Sequence, residues 1–395
     1  MWKRFSAQLR CPISGEALTL VSFRETNAPL TDQMAEAAAA AGYRHLASQR
    51  DFCRRVDAGV LLAPSAGLVY PIVRGVPLMV PYETVVHAKF AHDYSAPLSK
   101  LGSRYRFPSC PPQPDEFAIL RSINRGEAHD RGVTRNGSRP DDHQKLVAGP
   151  VLPASETSAT LLDIGCGEGQ TTSRVRRQLK CDAVGVDLSG AVLGAAERFR
   201  NNTMLHFVQA SAFHLPFDPP AFDIICAHAT LHDTYSTRES LLAMAKHCRP
   251  GGRFYVWVDA MRSVSGTALQ RMASAAGTAL RPLFDRAPEP IGTAMLASLA
   301  LGYVGVNRLR RHWDDNVPPF TFDRALMSAR DRLAPTYAWR QRASEVMDWF
   351  REAGFEAVEV IDWHGTPTDG THDERHTGVR GSRPINGSVR ASVSY

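Results

Sequence analysis

The chain has 395 residues, 46 Lys and Arg against 40 Asp and Glu, 44% apolar and 22% charged residues. At roughly 100–200 residues per domain there is room for two or three domains, each with its own core. This composition excludes a disordered chain, a fibre and a highly charged tail, and an excess of six positive charges is too weak a field to indicate nucleic acid.

Residues 1–90 alternate short apolar runs with turn pairs such as CP, SG, AP, YP and VP, which predicts a small β-rich unit around one helix over Gln33–Phe52. Residues 91–155 are rich in Pro, Gly, Asn and both charges and are expected to be a linker or cover. From Thr157 the texture becomes strand, helix, strand, helix, strand: SATLLDIG, TTSRVRRQL, CDAVGVD, AVLGAAERFRNN and MLHFVQA. It continues through AFDIICAHA, RESLLAMAKHC, a PGG turn and RFYVWVDA, then SEVMDWFREAGF and EAVEVIDWH. That alternation predicts an α/β domain over 156–365, a doubly wound, mostly parallel seven-stranded sheet, with a helical lid inserted at 263–335. Residues 366–395, rich in Gly, Ser, Thr and Arg, are expected to be a disordered tail.

Within the insertion, Ile291 to Val306 is the longest apolar stretch, and its 16 residues fall short of the ~20 that span a bilayer. The expectation is a buried helix; contact of 291–311 with a membrane surface, or a cap over an oily pocket, is the alternative, since Arg308, Arg310 and Arg311 follow. Trp313, Tyr337 and Trp339 are candidates to line that pocket. The seven cysteines are scattered with no C-x-x-C, and no apolar stretch follows the basic N-terminus, so a reducing compartment and a cytoplasmic location are expected.

The most informative segment is LLDIGCGEG, residues 161–169, an apolar strand running into three glycines at spacing two. Glycine is needed there because a side chain would keep a ligand off the backbone. Asp187, 22 residues after Gly165, ends the neighbouring strand, where a carboxylate can accept from both hydroxyls of a ribose. A nicotinamide dinucleotide uses the same geometry, but its G-x-G-x-x-G spacing is not met, since Gln170 stands where the third glycine belongs. Asp163 and Glu168 also place negative charge beside a would-be pyrophosphate. A ligand carrying a sulfonium and an ammonium suits that charge better, which favours S-adenosylmethionine.

Together, LLDIGCGEG, AVGVDLS, FHLPF, FDIICAHATLHD and RPGGRFYVW resemble the successive motifs of class I S-adenosylmethionine-dependent methyltransferases, the methyltransferase type 11 branch especially. The resemblance implies the cofactor S-adenosylmethionine, with Asp163, Gly165, Cys166, Gly167 and Gly169 around its methionine part, Asp187 on the ribose and Leu188 against the adenine. Ser211 and Ala212 stand where the family has an Asp-Ala pair facing the adenine amino group; a serine hydroxyl can still accept one hydrogen bond. His228, His232 and Asp233 follow the fourth strand, whose end faces the crevice, and are the candidates for chemistry, with His228 also beside the cofactor.

The N-terminal unit resembles a zinc-ribbon-like module found in an activator of tRNA and protein methyltransferases, through LRCPISGEAL and VYPIVRGVPLMV. Structural zinc wants four Cys or His ligands, and here Cys11 faces Ser14, while Ala63 and Ala66 replace the second knuckle. No metal is therefore expected, and Cys53 reads as a small core residue. The expected function is methyl transfer to a small-molecule acceptor, with RNA or protein methylation and a catalytically inert partner protein as alternatives.

Overall fold

The computed structural model describes residues 1–28, 52–110, 159–261, 287–313, 339–361 and 376–385, with isolated positions between 31 and 39, between 321 and 329, and at 337 and 368. Strands β5 (Thr160–Ile164), β6 (Asp182–Asp187), β7 (Leu205–Gln209), β8 (Phe222–His228) and β9 (Cys248–Asp259) pair in parallel in the order β9-β8-β5-β6-β7. Their cores, such as LLDI, AVGV and FYVWV, are almost continuously apolar and buried, as a sheet covered on both faces requires. Helices α3 (Gln170–Leu179), α4 (Ala191–Arg198) and α5 (Thr237–Ala245) make the crossovers. The predicted PGG turn lies inside β9, where Gly251 has φ +77° and the pairing with β8 shifts register.

The sheet is completed by two strands, β10 (Glu356–Ile361) and β11 (His376–Ser382), with β11 antiparallel between β9 and β10. The seven-stranded doubly wound sheet is thus as expected, but the expectation of a disordered tail from 366 is corrected, because HTGVRGS is an interior strand. Its composition hides it for a physical reason. A Cβ on Gly378 would stand 2.5 Å from the Trp257 ring, and one on Gly381 2.9 Å from Phe350, so the glycines are what let β11 lie against large neighbours. Helix α7 (Ala343–Glu352) covers this end with Val346 and Phe350 buried.

The N-terminal unit is a four-stranded antiparallel sheet of β1 (Thr19–Asn27), β2 (Arg54–Ala63), β3 (Leu68–Val73) and β4 (Val76–Pro77). Helices α1 (Val85–Asp93) and α2 (Ser95–Ser99) follow; Phe90, Tyr94, Leu98, Leu101, Tyr105 and Phe107 pack on Val60, Leu62 and Val69. Residues 91–107, which composition assigns to a linker, therefore belong to this unit. The helix expected over Gln33–Phe52 lies largely outside the described residues; Phe52 and Cys53 are buried against Met204. Most of 111–158 and of the insertion also lies outside them.

The turns at 11–16 and 63–66 are joined by one carboxylate. Glu16 accepts from the amides of Ser65 and Ala66, both at 2.9 Å, and from the Ser14 hydroxyl at 2.9 Å. Desolvation pushes its carboxyl up, and these donors outweigh that and hold it below its usual range. Cys11 Sγ accepts from the Ser14 amide at 3.3 Å and lies 3.1 Å from the Tyr70 hydroxyl.

The two sheets share one core. Phe5, Leu9, Val56, Tyr70 and Met79 cluster with Leu162, Val184, Val208 and Phe217. Leu78 pairs in parallel with Gln209, so the N-terminal chain covers the β7 edge, and Leu9 pairs with Phe217. Arg4 grips Asp182 through both guanidinium nitrogens at 2.8 and 3.0 Å and donates to the Thr203 carbonyl at 2.9 Å, while Phe5 stacks on His206 at 4.3 Å. Burial alone would push Asp182 up; His206 and Arg4 outweigh it and hold the carboxyl well below the usual carboxylate range. A depressed native pKa stabilises the fold above the unfolded value near 3.8, a contribution lost as pH falls through it. Arg4→Met is expected to cost about 3 kcal/mol at pH 7, because a buried carboxylate then keeps only His206 of these two partners. Urea denaturation should show that loss shrinking at pH 4, where protonation of Asp182 relieves it.

Candidate cofactor-binding site

In doubly wound sheets, ligands bind where the strand order reverses, outside the carboxyl ends of the strands. Here winding runs from β5 outward to β6 and β7, then restarts at β8 on the other side of β5. The switch point is therefore the gap between the ends of β5 and β8, and Gly165 and His228 stand on its two lips.

The turn after β5 is built from three left-handed glycines, Gly165 at φ +74°, Gly167 at +52° and Gly169 at +72°. They are glycines for different reasons. A Cβ on Gly165 would fall 1.9 Å from Thr230 Oγ1, and one on Gly169 2.5 Å from the Phe207 ring, whereas one on Gly167 would meet no atom within 4 Å. Two of the glycines close the turn onto its neighbours, and the third lies beneath open space. The amides of Gly165 and Cys166 both donate to the Val186 carbonyl, at 2.8 and 3.1 Å, which ties the turn to β6.

At the end of β6, Asp187 accepts from the Gly167 amide at 2.7 Å through one oxygen and from the Ser189 amide at 2.8 Å through the other. Asp187 is half-buried, and its carboxylate is bonded to the amide of the open glycine. Leu188, next in the chain, packs against Val80 and Tyr82 of the N-terminal unit. Gln209 at the end of β7 donates to the Leu188 carbonyl at 2.9 Å. Ser211 is buried and its hydroxyl accepts from the Phe213 amide at 3.3 Å, while Ala212 packs against the shared core.

Several predicted residues have other roles than contact. Asp163 is fully enclosed; Thr172 donates to it at 2.5 Å and the Cys226 thiol lies 3.4 Å away. Burial pushes its carboxyl up to about 6, Asp187 adds to the rise, and Thr172 and Cys226 oppose it. It is too enclosed to line the crevice. Cys166 is buried, with Sγ 2.9 Å from where a Cβ on Gly185 would stand. Burial drives its thiol well up, beyond reach of nucleophilic use. Glu168 is paired with Arg198 on α4 at 2.9 Å, so the negative charge of the crevice comes from Asp187 and Asp163 instead.

Across the gap, Ala229 takes φ +52°, a strained value for a residue with a Cβ, and this bend turns Thr230 onto Gly165. His228 is half-buried and stacked on Trp257 at 5.9 Å, and His376 stacks on the same indole at 5.9 Å. His232 is buried, and its Nδ1 accepts from the Asp259 amide at 3.2 Å, which assigns the ring proton to Nε2. Nε2 lies 3.7 Å from Asp233 and 3.6 Å from Asp259. With Nδ1 engaged in this way, the ring ties the 3-10 turn Leu231–Asp233 to the end of β9.

Above these groups Phe213 stacks on Tyr235 at 4.5 Å, and Tyr337 on Trp339 at 5.8 Å, with the Trp339 indole donating to the Thr234 carbonyl at 2.9 Å. Trp313 is 81% exposed at a helix end and lines nothing among the described residues. Asp259 and His376 lie outside the quoted motifs, and Thr230, Trp257 and Phe213 lie inside them without having been singled out; the positive φ at Ala229 and the register of β11 are what bring them in.

Ionising Asp163 inside the fold, with its carboxyl raised from 3.8 to about 6, costs about 3 kcal/mol. A raised native pKa leaves stability intact at low pH and withdraws it as pH rises through about 6. Asp163→Asn is therefore expected to unfold at a higher temperature than the unmodified chain at pH 8, with the gain vanishing near pH 4. Differential scanning calorimetry across that range checks the sign.

Residues 162–256 match a family model described as a methyltransferase domain. A phthiotriol/phenolphthiotriol dimycocerosates methyltransferase of Mycobacterium ulcerans is 30% identical over 146 residues, 37% of this chain and 53% of that one. A ubiquinone/menaquinone biosynthesis C-methyltransferase of Vibrio parahaemolyticus is 30% identical over 102 residues, 24% of this chain and 39% of that one. The chain thus spans about half or less of the curated relatives it matches. Among solved structures, phosphoethanolamine N-methyltransferase 2 of Haemonchus contortus, in complex with S-adenosyl-L-methionine, is similar at 12% identity and a TM-score of 0.43, covering 71% of this chain and 62% of that one. The glycine turn, Asp187 and the lip at His228 all lie within the residues that match the methyltransferase domain model.

Proposed function

We propose that the chain is an S-adenosylmethionine-dependent methyltransferase acting on a small, largely apolar molecule. The observation that carries this reading is Asp187 held beside the open space over Gly167 at the switch point, inside the stretch that matches a methyltransferase domain. The residues fit such a cofactor. The space over Gly167 is free of side chains, and each Asp187 oxygen keeps a lone pair for a ribose hydroxyl. Leu188, with Val80 and Tyr82 behind it, offers an apolar surface for a purine. Ser211 retains acceptor capacity beside its bond to Phe213, in place of a carboxylate. The charges on Asp163 and Asp187 suit a cationic ligand and oppose a pyrophosphate.

Bound there, S-adenosylmethionine supplies a methyl carbon activated by its sulfonium leaving group. The protein's part is then position and dryness. The stacked pairs Phe213–Tyr235 and Tyr337–Trp339 offer flat apolar surfaces beside the lip. His228 on Trp257 is the titratable group at the end of β8 best placed to meet an acceptor's proton. The curated relatives are named for quinone biosynthesis and for phthiotriol and phenolphthiotriol dimycocerosates, which supports an apolar acceptor.

Calorimetric titration with S-adenosylmethionine and with S-adenosylhomocysteine is the primary test. Binding to the unmodified chain is expected, weakened about tenfold or more in Asp187→Ala through loss of charge-assisted hydrogen bonds; absence of heat with either compound overturns the cofactor. Incubation of extracts with methyl-labelled cofactor should place label in the organic-soluble fraction, and label confined to RNA or protein overturns the acceptor class. Once an acceptor is identified, His232→Gln is expected to lower the melting temperature while leaving the pH dependence of kcat unchanged, and His228→Gln to alter that dependence.

A further inference from the structure

Helix α6 (Glu289–Trp313) is 25 residues long and, among the described residues, is the one helix long and apolar enough to cross a membrane by length and composition. The expectation of a buried helix does not hold. Ala300 alone is fully covered, and Ile291, Leu301, Val306, Leu309 and Trp313 are 53, 62, 54, 64 and 81% exposed. The exposure has a sidedness. Gly292, Leu296, Leu299, Ala300, Tyr303 and Asn307 recur at helical spacing and are half-buried or buried, so this face is turned to the protein. Ile291, Ala294, Ser298, Leu301, Gly305 and Leu309 recur at the same spacing on the opposite face, and all are exposed. No acidic residue follows Glu289 in the helix, while Arg310, Arg311 and His312 crowd its last turn beside Trp313, with Arg308 one turn before.

We propose that this outer face is the docking surface for an anionic lipid bilayer, on which the helix lies in the interfacial plane. Scattered apolar side chains on a soluble protein need no partner, but Ile291, Leu301 and Leu309 aligned on one face, with Val306 and Trp313 exposed beside it, do. Its cations select the partner: an apolar face buried at the headgroup boundary, flanked by arginines and a terminal indole, matches a negatively charged lipid surface and mismatches a neutral one. The covered face argues for lying on the bilayer over spanning it, because a spanning helix would surrender its contacts at Ala300 to lipid. This inference uses no feature of the cofactor site and stands or falls independently of the proposed activity.

Vesicle co-sedimentation of the full chain tests it, with vesicles of phosphatidylcholine alone and of phosphatidylcholine containing about one-third phosphatidylglycerol. Sedimentation with the anionic vesicles only, released by high salt, is expected. Replacing Arg308, Arg310 and Arg311 by Gln should weaken it about a hundredfold, near fivefold for each charge. Leu301→Glu with Leu309→Glu should abolish it; both positions are exposed, so the melting temperature should hold. Equal binding to both vesicle types, binding unchanged in the double variant, retention through alkaline carbonate extraction as for a spanning helix, or a concentration-dependent dimer that the double variant dissolves would each overturn the proposal.

Discussion

The hydrogen bonds from Gly167 and Ser189 to the Asp187 carboxylate hold the site together. They bind the turn after β5 to the end of the adjacent β6, beside the place where the sheet changes direction, and they fix a carboxylate where a cationic ligand would need one. The turn can deliver its amide only because it is pressed between Thr230 and Phe207, with no room for a Cβ on either flanking glycine. Backbone freedom at Gly165 and Gly169 is thus converted into a rigid anchor, and the open glycine between them is left for a ligand. Beneath this lies Asp163, whose burial works against the fold and whose charge works for the crevice, a local sacrifice of stability of the kind expected at functional sites.

The N-terminal unit is part of the same construction. Its sheet completes the core beneath β6 and β7, Arg4 neutralises Asp182, and Val80 and Tyr82 back Leu188. A unit that covers the β7 edge and supports the wall beside Asp187 sets the shape of one end of the crevice. Its two turns are joined by the Glu16 carboxylate on the Ser65 and Ala66 amides.

Much of this was legible in order. Runs such as LLDI, AVGV and FYVWV can only be buried strands, and glycines after a strand followed by an acid at the next strand end mark the turn and Asp187. What misled was composition read locally. HTGVRGS looks like tail because its glycines answer to Trp257 and Phe350, which lie 121 and 31 residues away in the chain. KFAHDYSAPLSKL, over 89–101, looks like linker because its apolar residues are spaced for a surface that only β2 and β3 provide. His232 looked catalytic from its neighbours in sequence, but its ring proton is decided by the amide of Asp259.

By itself the sequence determined the alternating strands and helices from 160 to 259, where glycine was obligatory and which strand end carries an acid, because those follow from local sterics and hydrophobic period. The tertiary structure alone decided which side of α6 faces out, that Asp163 is enclosed while Asp187 is not, and which imidazole nitrogen is committed. Exposure, desolvation and hydrogen-bond partnership belong to pairs of residues distant in the chain, and no single segment contains them.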